Sequence, residues 1–458
     1  MKKFIGTKQF YKMLFIIVVP IILQQFITQF VSLLDNLMIG QIGDSEMTGV
    51  SLGNQLLFVF NLSVFGSLAG ASIFGSQYFG SNNKEGYHET IRFKWLMGII
   101  IFIASTLIFV IFNEQLINAF ITTSESDTTN PEIVLKTGRI YLLIMIIGNL
   151  PFIIKEIYAT SLREMKETFF PMISGVVAIV VNLVFNYILI FGKFGFPKLG
   201  VTGAAIATVL SRYVEMILII VYTHIKTDKF SYFKGVYKKL LVKFSSVKLF
   251  LPRASLLLVN ELLWSLGLTV ILHCFSYRGL DVVAAFNISN TINNVFITVG
   301  TSLGVATGII IGNLLGAKQE QEARESAFII IGFSVFVSLF VMLIMVGCSL
   351  FVPDLYKAGV DIKHLARDLI IINAIALPFQ VFNTCCYFIL RAGGKVILTM
   401  FFDCFYIWLI RIPVAVIFCY FTKLDVRVVF TLCWVTEMVK SFIGYILVNR
   451  GIWLKTIV

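Results

Sequence analysis

The sequence predicts an all-α integral membrane protein, with twelve transmembrane helices in two pseudo-symmetric six-helix bundles around a central cavity. Three observations carry that expectation. Of 458 residues, 58% are hydrophobic and only 14% charged, whereas a soluble domain carries roughly 25% charged and 45–50% apolar residues. The apolar residues gather into twelve runs, at 13–38, 47–79, 93–113, 133–156, 168–191, 200–223, 249–275, 283–311, 325–352, 365–390, 396–420 and 428–449, each near or above the roughly 20 residues that cross a bilayer. Finally, the two halves echo one another: Gly43, Asn54, Ile73 and Gly80 are matched 236 residues later by Gly279, Asn290, Ile309 and Gly316.

Each run reads as helix because its backbone groups find no water in lipid and must bond within the segment. The ten-residue alternation of a membrane barrel is absent. The first run follows Lys2, Lys3, Lys8 and Lys12, as a secretory signal would. It is too long for one, is interrupted by polar residues from Gln24 and lacks an A-x-A site, so it reads as the first span.

The stretch 226–253 carries eight basic residues and divides the spans six and six, giving lobes 1–225 and 249–458 joined by a basic linker, 226–248. "LPF" at 150–152 recurs at 377–379 and "LR" at 162–163 recurs at 390–391, while Gln77 faces another amide, Asn313. With six spans per half, both halves begin on one side, as parallel repeats do. Of 37 Lys and Arg residues, 23 fall on the N-terminal side of the membrane and 10 on the other. The positive-inside rule then puts both termini in the cytoplasm. The net charge of +12 is scattered over short loops, which argues against a nucleic-acid partner. Seven cysteines without a C-x-x-C suit neither a disulfide framework nor a zinc site and read as small buried apolar residues.

Polar residues inside the spans carry the chemistry. In the first span Gln25, Thr28, Gln29, Ser32, Asp35 and Asn36 share one helix face, by spacings of three and four. A carboxylate at the bilayer centre costs about 2.5–3.5 kcal/mol on insertion scales, so a partner or bound cation is expected. Asp35 is also about 31 Å beyond Leu14 along a helix, which leaves a place at the outer interface open. Asn182 and Asn186, four apart in the fifth span, suit either a cation site with Asp35 or hydrogen bonding between helices. Thr208 in the sixth span adds an oxygen. Glu261 opens the second half as a lone intramembrane acid, either functional or merely hydrogen-bonded, and Asn287, Asn290, Thr291 and Asn294 form a second polar stripe. Asp403 with Arg411, and Glu437 with Lys440, have spacings that suit ion pairs along one helix face. His88-Glu89 lacks the second histidine of H-E-x-x-H, and no Walker A, nucleophile elbow or G-x-G-x-x-G is present, so an enzyme is not expected.

"DNLMIGQIGD" after span one, "GSQYFGSNNKEG" after span two, "LREMKET" after span four, "NYILIFGKFGFPKLGVTGAAIAT" across spans five and six, and "LGAKQ", "LRAGG" and "RIP" in the second half resemble the multidrug and toxic compound extrusion (MATE) antiporters over nearly the whole chain. The resemblance implies two six-helix lobes around a central cavity and export of amphipathic, often cationic organic compounds, driven by inward Na⁺ or H⁺. It makes Asp35 the first-span acid, Pro20 the proline at which that helix bends, and Asn182 and Thr208 members of an amino-terminal cation site. Asn186 stands where one subgroup has a second Asp. Glu261 matches another subgroup's seventh-span acid, whose tenth-span partner is replaced by Gln380.

The expectation is therefore a cation-coupled exporter in which Asp35 alternates between a protonated or Na⁺-bound state and a free one. Asp35, Asn182, Asn186 and Thr208 form its candidate cation site and Glu261 with Gln380 a second-lobe candidate. Gln25, Gln29, Ser32, Asn54, Asn287 and Asn290 are candidates to line the cavity. No cofactor beyond the coupling ion, and no metal beyond Na⁺, is expected. The partners are a small organic substrate and the bilayer, and the chain is read as a monomer of the plasma membrane. A lipid-linked oligosaccharide flippase of the same superfamily is the alternative within transport; a multispanning enzyme and a passive channel are others.

Overall fold

Long helices interrupted by short polar turns make up the chain. The computed structural model describes residues 5–120, 130–239, 241–356 and 358–458, the side chains of Ser32, Leu33, Asn36, Leu37 and Leu280 excepted. In order the helices are α1 (Lys8–Gly40), α2 (Asp44–Gly80), α3 (Lys84–Ile111), the short α4 (Asn113–Asn118), α5 (Pro131–Glu164), α6 (Phe169–Phe191), α7 (Val201–Ile225), α8 (Phe244–Ser276), α9 (Leu280–Gly316), α10 (Glu320–Ser349), α11 (Val360–Ala392), α12 (Val396–Met400), α13 (Ile412–Tyr420) and α14 (Val426–Asn449). No strand occurs among the described residues. Among the described residues, eleven spans are long and apolar enough to cross a membrane, α12 through α13 counting as one. The twelfth predicted span is α14, which carries Arg427, Glu437 and Lys440.

Local chemistry sets the ends. Asn130 caps α5 by accepting from the Glu132 N–H, with Pro131 at the first position, where its missing donor is not needed. Asp425 likewise accepts from Arg427 N–H at 2.7 Å to start α14. The run 396–420 is one span in more than one register: between α12 and α13, Phe401–Phe405 and Ile407–Arg411 are π-helical.

By contacts the chain forms two units. Unit 1 is Met1–Ile22, Ser76–Asn83 and Ser255–Val458; unit 2 is Leu23–Gly75 and Lys84–Ala254. In unit 1, Leu14, Ile17, Val18 and Ile21 of α1 pack with Leu303 and Ile310 of α9, Ile330 of α10 and Leu377 and Val381 of α11. The repeat is visible here as a reciprocal contact. A Cβ on Gly80 would lie 2.0 Å from the Asn313 carbonyl oxygen, and one on Gly316 would lie 1.9 Å from that of Gln77. These are the glycine pair and the amide pair matched by the internal offset, so α2 and α9 meet through the same surface. Gln77 also fastens the C-terminal residues, donating to Ala392 O at 2.9 Å and accepting from Ile457 N at 2.8 Å.

Unit 1 corrects one expectation. Asp403 pairs with Lys440 at 3.0 Å, and Arg411 approaches Glu437 at 3.7 Å, so the strong pairings cross between helices. Eight residues separate Asp403 from Arg411, about 12 Å along a helix, too far for a pair. Glu437 and Lys440 lie 4.0 Å apart, at the limit of contact.

In unit 2 a buried ion pair joins α3 to α5: Lys94 Nζ lies 2.6 Å from Glu164 Oε1 and also donates to Ser161 Oγ at 3.0 Å. The basic linker is folded against this unit. Phe230, Phe233 and Val236 are buried, Tyr158 stacks on Phe233 and lies 2.6 Å from the Tyr237 hydroxyl, and Arg92 Nε donates to Val236 O at 3.0 Å.

Two stability outcomes follow. Gly316→Val should lose about 1–3 kcal/mol or more through overpacking, read as a lower melting temperature of the purified protein in detergent. Lys94→Met, which strands a buried carboxylate, should cost about 3–5 kcal/mol, and Lys94→Met with Glu164→Gln should cost less than Lys94→Met alone.

Candidate functional site

The α6–α7 hairpin is built for close approach. Helix α6 ends on Gly192 in the left-handed region, φ 68°, which glycine adopts without strain. Leu199 N–H returns to Leu189 O at 2.9 Å. A Cβ at Gly203 would lie 2.7 Å from the Leu189 carbonyl oxygen, and Ala204, Ala205 and Ala207 are buried beside it. Small residues let membrane helices touch backbone to backbone. Thr208 therefore reaches Asn182, with Asn182 Nδ2 and Thr208 Oγ1 3.2 Å apart. On the other side, a Cβ at Gly175 would be 2.9 Å from Gln24 Nε2, so α6 also admits the second half of α1.

Asp35 of α1 meets this hairpin. Asn186 donates to Asp35 Oδ1 at 2.6 Å and to Asn182 Oδ1 at 3.1 Å. Asn182 and Asn186 are buried, while Asp35 is half-buried. Turned over so that both its atoms are satisfied, the Asn182 amide donates its nitrogen to the two Asp35 carboxylate oxygens, at 3.1 and 3.2 Å, and its oxygen accepts from Thr208 Oγ1 at 3.2 Å. Asn186 Oδ1 is buried without a partner. Two amides thus meet the Asp35 carboxylate, and the Thr208 hydroxyl backs one of them. The set suits an ionised carboxylate held by amides, a proton shared between Asp35 and Asn182, or a hard cation, which takes several oxygen ligands.

The other expected residues lie as follows. Pro20 is buried within α1, in the part of the helix that belongs to unit 1. Gln25 is half-buried and Gln29 exposed; Ser32 lies outside the described side chains. Asn54 is exposed and accepts from the Tyr141 hydroxyl at 3.0 Å. Asn287 is exposed and Asn290 half-buried. In unit 1 the half-buried Glu261 accepts from the Tyr387 hydroxyl at 3.3 Å, and the Gln380 amide nitrogen is buried without a partner. No hydrogen bond or ion pair joins Glu261 to Gln380 among the described contacts. Tyr141 was not anticipated; nothing in the sequence marks it as the partner of Asn54. Glu156 and Glu215 were also passed over, although both stand within membrane-crossing helices and share Lys155, at 2.8 and 3.4 Å. Asp35 is therefore not the only acid within the spans of the amino-terminal half. The signal was the basic residue beside each, Lys155 and Arg212, inside an apolar run.

A multi-pass helical membrane protein, internally repeated and holding a carboxylate on buried amides within its spans, is of the transporter class. The chain belongs to the MatE family, whose pattern matches residues 20–188 and 256–417, and so is a multidrug efflux transporter of the MATE family and not an enzyme. It is 23% identical over 418 residues to a probable multidrug resistance protein, YoeA, of Bacillus subtilis, covering 89% of this chain and 87% of that one. It is 24% identical over 398 residues to a probable multidrug resistance protein, NorM, of Thermotoga maritima, covering 83% and 80%. In fold it is similar to an outward-facing multidrug resistance MATE family transporter of the MOP superfamily, with a TM-score of 0.85, 18% identity and coverage of 97% and 96%. A MATE transporter of Vibrio cholerae superposes with a TM-score of 0.85 at 16% identity, covering 96% and 97%.

Asn186→Ala should cost about 1.5–3 kcal/mol, the loss of a hydrogen bond to a charged group, measured as thermal unfolding at neutral pH. Removal of Asn287, which no such network includes, should leave the melting temperature unchanged.

Proposed function

We propose that this protein exports amphipathic, often cationic organic compounds in exchange for inward Na⁺ or H⁺, and that Asp35 is the group the coupling cation discharges. The observation that carries the reading is that Asp35 is held by the amides of two buried asparagines, Asn186 at 2.6 Å and Asn182 at 3.1 and 3.2 Å, and, among the described residues, by no basic side chain. The amides stabilise the ionised carboxylate, and a proton or Na⁺ arriving at it removes the charge they solvate. A cation can shift a two-state equilibrium only by its differential affinity for the two states; here that difference resides in how α1 is held to α6 with Asp35 charged or discharged.

In this reading Pro20, whose ring removes one backbone donor from α1, is where the helix yields. Gln25, Gln29, Ser32, Asn54, Asn287 and Asn290 line the path of the compound. Glu261, held by Tyr387, with Gln380, is a second ionisable position in the carboxy-terminal half. The chain acts as a monomer in the plasma membrane, both termini cytoplasmic, with the bilayer and a small organic compound as its partners and no nucleic acid among them.

The test is ethidium efflux from proteoliposomes, with Na⁺ and pH gradients imposed separately. Asp35→Asn should fold and lose gradient-driven efflux; efflux at the wild-type rate would sink the proposal. Thr208→Val separates the ions. It should raise the Na⁺ concentration for half-maximal rate about tenfold if Na⁺ uses that oxygen, since a lost ligand to a charged group is worth about 1.5–3 kcal/mol. It should leave the rate unchanged if a proton alone is coupled.

A further inference from the structure

We propose that the folded linker of unit 2 carries a seat for an acidic phospholipid of the surrounding bilayer, with the lipid phosphate on Lys238 and Lys239 and an acyl chain along α3 beyond Trp95. The linker 226–248 holds seven lysines and one acid, Asp228. Lys229 pairs with Glu167, and Lys243 with Glu85 at 2.5 Å. Lys226, Lys234, Lys238 and Lys239 are exposed and enter no ion pair among the described residues.

The fold of the linker separates its apolar residues from these charges. Phe233 N–H bonds to Phe230 O at 2.9 Å and Val236 N–H to Phe233 O at 3.3 Å. Turns closed over three residues bring every third side chain to one face. Phe230, Phe233 and Val236 accordingly point inward, while Lys234, Tyr237 and Lys238 stay exposed. Gly235, at φ 87°, supplies the left-handed step that glycine takes without strain.

The level of the linker in the membrane follows from α3. That helix has 28 residues, about 42 Å at 1.5 Å per residue, against a hydrocarbon core about 30 Å thick. Ile108, Val110 and Ile111 at its far end are apolar and exposed, as lipid-facing residues are. About 30 Å back from Ile111 stands Arg92, whose Nε donates to Val236 O at 3.0 Å. The linker therefore crosses α3 at the edge of the hydrocarbon, where lipid headgroups lie.

The surface at that level suits a headgroup. The half-buried Trp95 meets the Tyr237 ring edge-on, 6.3 Å between centroids; Trp and Tyr gather at membrane–water interfaces. Tyr237 is itself fixed by the Tyr158 hydroxyl, 2.6 Å from its own. Four and eight residues beyond Trp95, on its face of α3, Ile99 and Ile103 are 47% and 51% exposed and offer a track to an acyl chain. Among the lysines, Leu241 and Phe244 are 87% and 73% exposed. The positive-inside rule accounts for the lysines but not for apolar side chains bared beside them. A free anion would leave both in water, whereas an acidic lipid meets the charges with its phosphate and the apolar groups with its glycerol and chains. Polybasic segments beside a membrane are drawn to such lipids.

Native mass spectrometry of purified protein in detergent, titrated with phosphatidylglycerol or phosphatidylcholine, tests the seat without any ion gradient and so apart from the transport reading. Wild type should hold phosphatidylglycerol about thirtyfold more tightly than phosphatidylcholine, about fivefold for each lysine beside an acidic headgroup. Lys238→Gln with Lys239→Gln should abolish that preference, with phosphatidylcholine binding and the melting temperature unchanged. Lys193→Gln with Lys198→Gln, the same loss of charge at exposed positions of the α6–α7 turn, should keep it. Equal losses in the two double variants, or no preference in wild type, would overturn the proposal in favour of diffuse charge attraction. Displacement of phosphatidylglycerol by millimolar inorganic phosphate would overturn the lipid as occupant. If the Lys238 and Lys239 variant does not fold, a wild-type preference that survives molar salt, which screens exposed charges, overturns the seat instead.

Discussion

A carboxylate placed within membrane-crossing helices has to be held by protein groups or by a cation, and the structure around Asp35 follows from that requirement. Two amides from one face of α6 reach it, and a hydroxyl from α7 holds one of those amides. They can do so only because Gly203 and the alanines after it bring α7 against the backbone of α6, and Gly175 brings α1 against the same helix. The small residues and the polar ones are thus one design: the first set the distances, and the second use them. An isobutyl side chain at position 203 would separate Thr208 from Asn182 without touching either.

Helix α1 belongs to both units, through Ile22 to one and from Leu23 to the other. Its first half is fixed by apolar packing against α9, α10 and α11, and its second half by hydrogen bonds to α6. Apolar packing is tolerant of small slides, whereas a 2.6 Å bond between an amide and a carboxylate is not.

Much of this was legible in the chain. Helix identity and number followed from apolar run lengths, because lipid leaves the backbone no other choice. The association of Asp35 with Asn182 and Asn186 was readable from the expense of a carboxylate and the four-residue spacing of the amides. Of the ion pairs around α14, Glu437 with Lys440 was readable from its spacing, whereas Asp403 with Lys440 and Arg411 with Glu437 were not, since spacing along one helix says nothing about which charges face each other across two. The π-helical turns at 401–411 had no visible signal. The burial of the linker was hidden by its lysines, which mark it as a surface segment while Phe230, Phe233 and Val236 do the packing. Glu156 and Glu215 were legible too, each near a basic residue inside an apolar run, Lys155 and Arg212.

The reciprocal seat of Gly80 against Asn313 and of Gly316 against Gln77 has a consequence for origins. A contact that maps onto itself under exchange of partners is isologous, the kind that joins two identical subunits in a closed dimer. A single ancestral half with one such glycine and one such amide could have paired with its own copy through this seat before the two were joined in one polypeptide. The fusion then freed the copies to diverge everywhere except where each still had to accept the other's backbone.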